Sequence, residues 1–184
     1  MSLADDRARL RQLLTRYSVR RGDFVLASGK RSDIYCDARV TTCRAEAMPL
    51  IGRLFLDAMS RRGWRPAAVG GLTLGADPIV IAVARESVEA GPLINAFLVR
   101  KEAKGHGLRR QIEGLADEPP LDVVIVDDVC TSGGSTVNAI QAAREAGFTV
   151  LGAICLVDRE EGAQARIEGE HNCLFDRIFS ISEL

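Results

Sequence analysis

The chain has 184 residues, 47% hydrophobic and 27% charged, with 24 Lys and Arg against 25 Asp and Glu for a formal net charge of −1. That length suits a single domain burying about 70% of its unfolded surface, and the composition is that of a globular rather than a disordered chain. The even charge balance gives no general pull towards nucleic acid or an anionic membrane, so neither is expected as a partner, and a polyanionic ligand would need a local basic patch.

In chain order, Leu10, Leu13, Leu14 and Tyr17 recur at helical spacing behind a possible cap, Ser2, and predict an amphipathic helix that ends before Gly22. Residues 45–62 place Met48, Ile51, Leu54, Phe55, Ala58 and Met59 on one stripe, with Pro49 in the first turn and Gly63 after the end, which predicts a second helix. PAAVGGL (66–72) reads as a short buried strand, DPIVIAVARESVEAG (77–91) as a helix opened by Pro78, and PLINAFLVR (92–100) as a strand. LDVVIVDD (121–128) is a strand, STVNAIQAAREAG (135–147) a helix closed by Gly147, TVLGAICLVD (149–158) a strand, and LFDRIFSI (174–181) a last one.

Strands without polar alternation, each followed by a helix and a glycine stop, predict right-handed βαβ units. The fold class is therefore α/β, with a parallel sheet covered by helices on both faces. In such sheets ligands bind beyond the carboxyl ends of the strands. Five cysteines, with no C-x-x-C pair and no secretory segment before them, predict a reduced, cytoplasmic protein without a disulfide framework or structural zinc. The apolar runs are strand-sized, short of the ~18 residues of a membrane span.

At the end of the strand 121–128, Asp127 and Asp128 are followed by Val129, Cys130, Thr131, Ser132, Gly133, Gly134 and Ser135. Glycines admit a ligand close to the backbone, hydroxyls donate hydrogen bonds, and the next helix offers free N–H groups, so this turn is a candidate phosphate cradle. It is neither a Walker A loop nor a G-x-G-x-x-G loop. The carboxylates before it could hold sugar hydroxyls or hydrated Mg²⁺. Taken alone, an acid pair before such a turn is as readily a cap on a generic strand-to-helix connection.

The full string, four apolar residues and then D-D-V-C-T-S-G-G-S, resembles the 5-phosphoribosyl 1-diphosphate signature of type I phosphoribosyltransferases. The resemblance implies that the two acids contact the ribose hydroxyls and that Val129 to Ser135 take the 5-phosphate. RKEAKGHGLRR (100–110) sets Arg100, Lys101, Lys104, Arg109 and Arg110 against Glu102, with Gly105 and Gly107 around His106. By charge alone it is a solvated basic loop or a glycine-hinged lid over a diphosphate.

Its R-K-E-x-K-x-H-G order resembles the catalytic loop of the orotate phosphoribosyltransferase family. FVLASGKRSDIYCD (24–37) resembles that family's hood over the pyrimidine, and LVDREEG (156–162) the segment whose arginine pairs with the orotate carboxylate. The resemblance runs from about residue 20 to the C-terminus.

It implies one phosphoribosyltransferase domain over residues 1–184: a helix and small N-terminal hood at about 1–40 and an α/β core at about 45–184. It further implies Lys104, His106 and Arg100 as catalytic residues, with Lys101 and Thr73 also on the diphosphate. Thr131, Arg159, Tyr35 and Cys36 would lie at orotate. Mg²⁺ would be held mainly by substrate and water with Asp127 or Asp128 nearby, not by direct protein ligation, and a homodimer would share its active sites. The chain departs from the pattern at Ala27 and Leu74, where lysines are common. A purine or uracil transferase, and a regulator that senses phosphoribosyl diphosphate while binding nucleic acid, are the competing readings; the latter is disfavoured by a pI near 6.2. His171 is expected at the surface, and Cys130 to act through its backbone.

Overall fold

A computed structural model describes residues 2–25, 29, 31–102, 111–115 and 118–184. Helix α1 (Leu3–Tyr17) starts at a capping box in which Ser2 and Asp5 satisfy each other's backbone N–H. It buries Leu10, Leu13 and Leu14. The chain then forms an antiparallel hairpin, β1 (Val19–Val25) and β2 (Arg31–Cys36), with a register shift between Arg21 and Phe24. This hairpin occupies the expected hood segment. A short helix α2 (Arg39–Thr42) leads to α3 (Met48–Arg61), which carries Pro49 in its first turn as predicted.

The core follows as β3 (Ala68–Leu72), α4 (Asp77–Ala90), β4 (Asn95–Val99), β5 (Ile112–Glu113), β6 (Asp122–Cys130), α5 (Gly134–Glu145), β7 (Thr149–Asp158) and β8 (Phe175–Ser180). A π-helical turn, Ala165–Glu170, and a 3₁₀ turn, Ile181–Glu183, flank β8. The sheet order is β5-β4-β3-β6-β7-β8. All of its pairings are parallel except that of the two-residue edge strand β5 with β4.

Alternate residues of each central strand serve opposite faces, as the pleat requires. On β6, Val124 and Val126 join a core with α1, α3 and α4, while Val123 and Ile125 join a second core with α5 and Ile167. The apolar run that lacked alternation in the sequence is therefore a strand buried on both sides. Close approach also shapes β3: the backbone carbonyl of Val126 leaves no room for a Cβ at Gly71.

The chain leaves β3 towards β4 on one side of the sheet, and leaves β6 towards β7 and β8 on the other. The carboxyl ends of β3 and β6 are thus neighbours at the point where the strand order reverses, and the loops leaving them part to open a crevice.

Candidate active site

That crevice is a cavity of about 260 Å³. Thr73, Leu74 and Gly75 line it after β3, Asp127, Asp128, Val129 and Ser135 around the end of β6, Tyr35 to Arg39 from the last residues of the hood onward, and Lys101 after β4. Of the residues singled out in the sequence, it brings together Thr73, Lys101, Asp127, Asp128, Val129, Ser135, Tyr35 and Cys36.

The two acids differ. Asp127 is buried, and both its oxygens are engaged: Oδ1 accepts the Asp128 N–H at 3.0 Å and Oδ2 the Thr136 hydroxyl at 2.7 Å. Burial, reinforced by the adjacent Asp128 charge, pushes its carboxyl up to about 7. Asp128 is half-buried, and its Oδ1 accepts the Val129 N–H at 2.8 Å. Burial raises it too, opposed by that hydrogen bond and by the charge of Arg39. Gly75 sits against Asp128: a Cβ there would lie 2.7 Å from its Cγ.

The turn behind the acids is built as the glycines suggest. Thr131 and Ser132 are exposed, Gly133 adopts φ 76°, and α5 begins at Gly134 with no side-chain cap among the described residues. The first-turn N–H groups of α5 are thus left for an anion. Cys130 turns its thiol away into the core, 2.9 Å from the Thr136 hydroxyl, while its carbonyl accepts the Arg159 N–H at 2.8 Å.

Arg159 follows the last residue of β7, next to that turn. Its side chain is only 6% exposed; Nη2 lies 3.2 Å from the Ser32 hydroxyl of the hood and 3.0 Å from Glu161 Oε1, and Nε is buried with no partner among the described residues. Cys36 feels both Arg159 and Asp128. Burial pushes its thiol up to about 11, with Arg159 opposing, so it stays protonated at neutral pH.

Arg100 is turned aside, its Nε on Glu113 at 2.7 Å. Lys104 and His106, with Arg109, Arg110 and Ala27, lie outside the described residues. Two contributors escaped the sequence reading. Arg39 lines the cavity while forked onto Asp37 at 2.9 and 3.0 Å, and its signal was the D-x-R directly after Tyr35 and Cys36. Gly75 acts through a contact with Asp128 that no local pattern announces, as does the bond from Thr136, itself a hydroxyl of the candidate cradle, to Asp127.

The carboxylates of Asp127 and Asp128 are hard oxygen donors, of the kind that sit beside a hydrated divalent cation. The arrangement can hold an anion at the helix start, a polyol at the acids and a carboxylate at Arg159.

Residues 72–181 match the phosphoribosyl transferase domain family. The chain is 45% identical over 167 residues to orotate phosphoribosyltransferase of Corynebacterium glutamicum, covering 91% of this chain and 88% of that one. With the Aquifex aeolicus orotate phosphoribosyltransferase it shares 42% over 182 residues, 97% of each. The crystal structure of Mycobacterium tuberculosis orotate phosphoribosyltransferase in complex with 5-phospho-α-D-ribosyl 1-diphosphate superposes with a TM-score of 0.80 at 36% identity, over 97% of this chain and 98% of that one. By sequence over nearly its whole length and by fold, this chain belongs to the orotate phosphoribosyltransferase family.

Proposed function

We propose that the protein transfers the 5-phosphoribosyl group from 5-phosphoribosyl 1-diphosphate to N1 of orotate, giving orotidine 5-monophosphate and diphosphate for pyrimidine synthesis. The observation that carries the substrate assignment is the buried Arg159 guanidinium beside the acid pair and the uncapped start of α5. Arg159 Nε is buried with no partner among the described residues, and the orotate carboxylate offers that N–H a charged acceptor that a neutral base lacks.

On this reading the amides from Val129 to Ser135 hold the 5-phosphate, and Asp128, steadied by Asp127, grips the ribose hydroxyls. Thr73, Lys101 and Arg39 face the diphosphate in the cavity, and Arg39 offers a positive charge where Leu74 and Ala27 do not. As the C1–O bond breaks, negative charge accumulates on the leaving diphosphate, and donors fixed in advance stabilise that charge most effectively. Lys104 is the first choice for contact with it, with His106 and Arg100 beside it; the Arg100 fork must leave Glu113 to take part. Arg159 fixes the orotate carboxylate, Tyr35, Cys36 and Thr131 frame the ring, and N1 is aimed at C1.

Mg²⁺ would be held mainly by the diphosphate and water with Asp127 or Asp128 nearby, and would neutralise part of the diphosphate's charge. The whole chain acts as one domain, the helix and hood over about 1–40 closing onto the core over 45–184, in a cytoplasmic homodimer whose basic loop serves the neighbouring subunit.

Following diphosphate release with Mg²⁺, phosphoribosyl diphosphate and orotate, uracil, adenine, guanine or xanthine in separate reactions tests this. Turnover with orotate is expected; turnover with another base and none with orotate would overturn it.

A further inference from the structure

The guanidinium assigned to the substrate carboxylate already holds a carboxylate. Glu161 Oε1 stands 3.0 Å from Arg159 Nη2, with Glu161 36% exposed and Arg159 only 6%. The intervening turn is braced to keep it there. Glu160 donates its N–H to Asp158 Oδ1 at 2.8 Å, and Asp158 Oδ2 accepts from Arg177 at 2.9 Å. Glu160 and Gly162, on either side of Glu161, both take left-handed backbone, with φ 58° and 97°. Glu161 therefore partners a buried charge that would otherwise be costly in the ligand-free protein.

Its hold is incomplete. Nη2 is engaged, but Nε is buried without a hydrogen-bond partner. A planar carboxylate presented side-on can take Nε and Nη2 together, a fork that Glu161 does not make.

We propose that Glu161 is a specificity-determining residue: it occupies Arg159 in the free enzyme, so that binding the base is an exchange of one carboxylate for another. This rests on the orotate reading of the site. A substrate carrying a carboxylate wins the exchange by satisfying the second N–H. A neutral pyrimidine has no carboxylate to set against Glu161, and so leaves it in place. When the product departs, Glu161 recaptures the guanidinium, which weakens the hold on orotidine 5-monophosphate.

Orotidine and uridine 5-monophosphates differ by that carboxylate alone, which makes them the probes. Equilibrium titrations with each, on the wild type and on Glu161→Gln and Glu161→Ala, test the exchange, with thermal melting to compare the folds. A half-exposed ion pair of this kind sets the expected scale: orotidine 5-monophosphate should bind roughly two- to fivefold more tightly to both variants, and uridine 5-monophosphate unchanged. Unchanged or weaker binding of orotidine 5-monophosphate would overturn the proposal, and so would an equal shift of both nucleotides. Failure of the orotate reading would show separately: the wild type itself would not prefer orotidine to uridine 5-monophosphate, and the exchange would fall with it.

Discussion

Gly75 offers a way to displace one carboxylate by a known amount while leaving its chemistry intact. Its φ lies outside the left-handed region, so alanine is allowed by the backbone and the effect of Gly75→Ala comes from the added methyl alone. That methyl would stand 2.7 Å from Cγ of Asp128, where ordinary contact begins at 3.4 Å. The carboxylate must therefore retreat by about 0.7 Å or more, giving up the 2.8 Å hydrogen bond from the Val129 N–H in its present form. A misplacement approaching 1 Å in a positioning group costs on the order of 10² in rate. Steady-state kinetics should then show kcat/KM for phosphoribosyl diphosphate lowered roughly ten- to hundredfold. Thermal melting should be little changed, since the obstacle is a side chain at a cavity wall rather than the backbone. A well-folded Gly75→Ala enzyme within threefold of wild type would refute the placement of Asp128 in the ribose grip.

Lys104→Ala should lower turnover by about 10² to 10³ while orotate still binds; near-normal turnover removes Lys104 from the mechanism. Asp127 gives a signature in stability against pH. Its carboxyl in the fold lies near 7, above its unfolded value of 3.8, so the folded state binds the extra proton between those values. Stability is accordingly greatest at low pH on this account and declines as pH rises from about 4 to about 7. The decline should be weaker in Asp127→Asn, and a melting profile with the same slope in both proteins would remove Asp127 as its source. If the basic loop serves a neighbouring subunit, mixing Lys104→Ala with Arg159→Ala protein should recover activity that neither has alone; recovery of none counts against shared sites.

The core strands and their helices were legible because their signals are local. The unbroken apolar run before Asp127, the prolines at 49 and 78 and the glycines at 63, 91 and 147 mark elements that the structure places within a few residues of the predicted ones. The hood was readable as a segment but not as strands: VRRGDFV shows a polar surface on both faces, and its partner is set by pairing across a loop. The edge strand β5 is two residues long, and the π-helical turn ARIEGE carries no periodicity to detect. The acid pair and the turn after it could be read from one string because strand, turn and helix start are contiguous. Arg39 beside Asp128, Gly75 against the same carboxylate and Glu161 on Arg159 are facts of distance or of exchange between partners, so the sequence holds the residues but not the relation between them.

The hydrogen bond from Thr136 to Asp127 joins the acidic end of β6 to the first turn of α5 inside the protein, where water cannot loosen it. Strand end and helix start are thereby cast as a single caliper, whose jaws on the proposed reading take the ribose hydroxyls and the 5-phosphate. Its opening is set once, at folding. On the proposed reading, any donor that required the jaws to spread would have to work against this buried hydrogen bond.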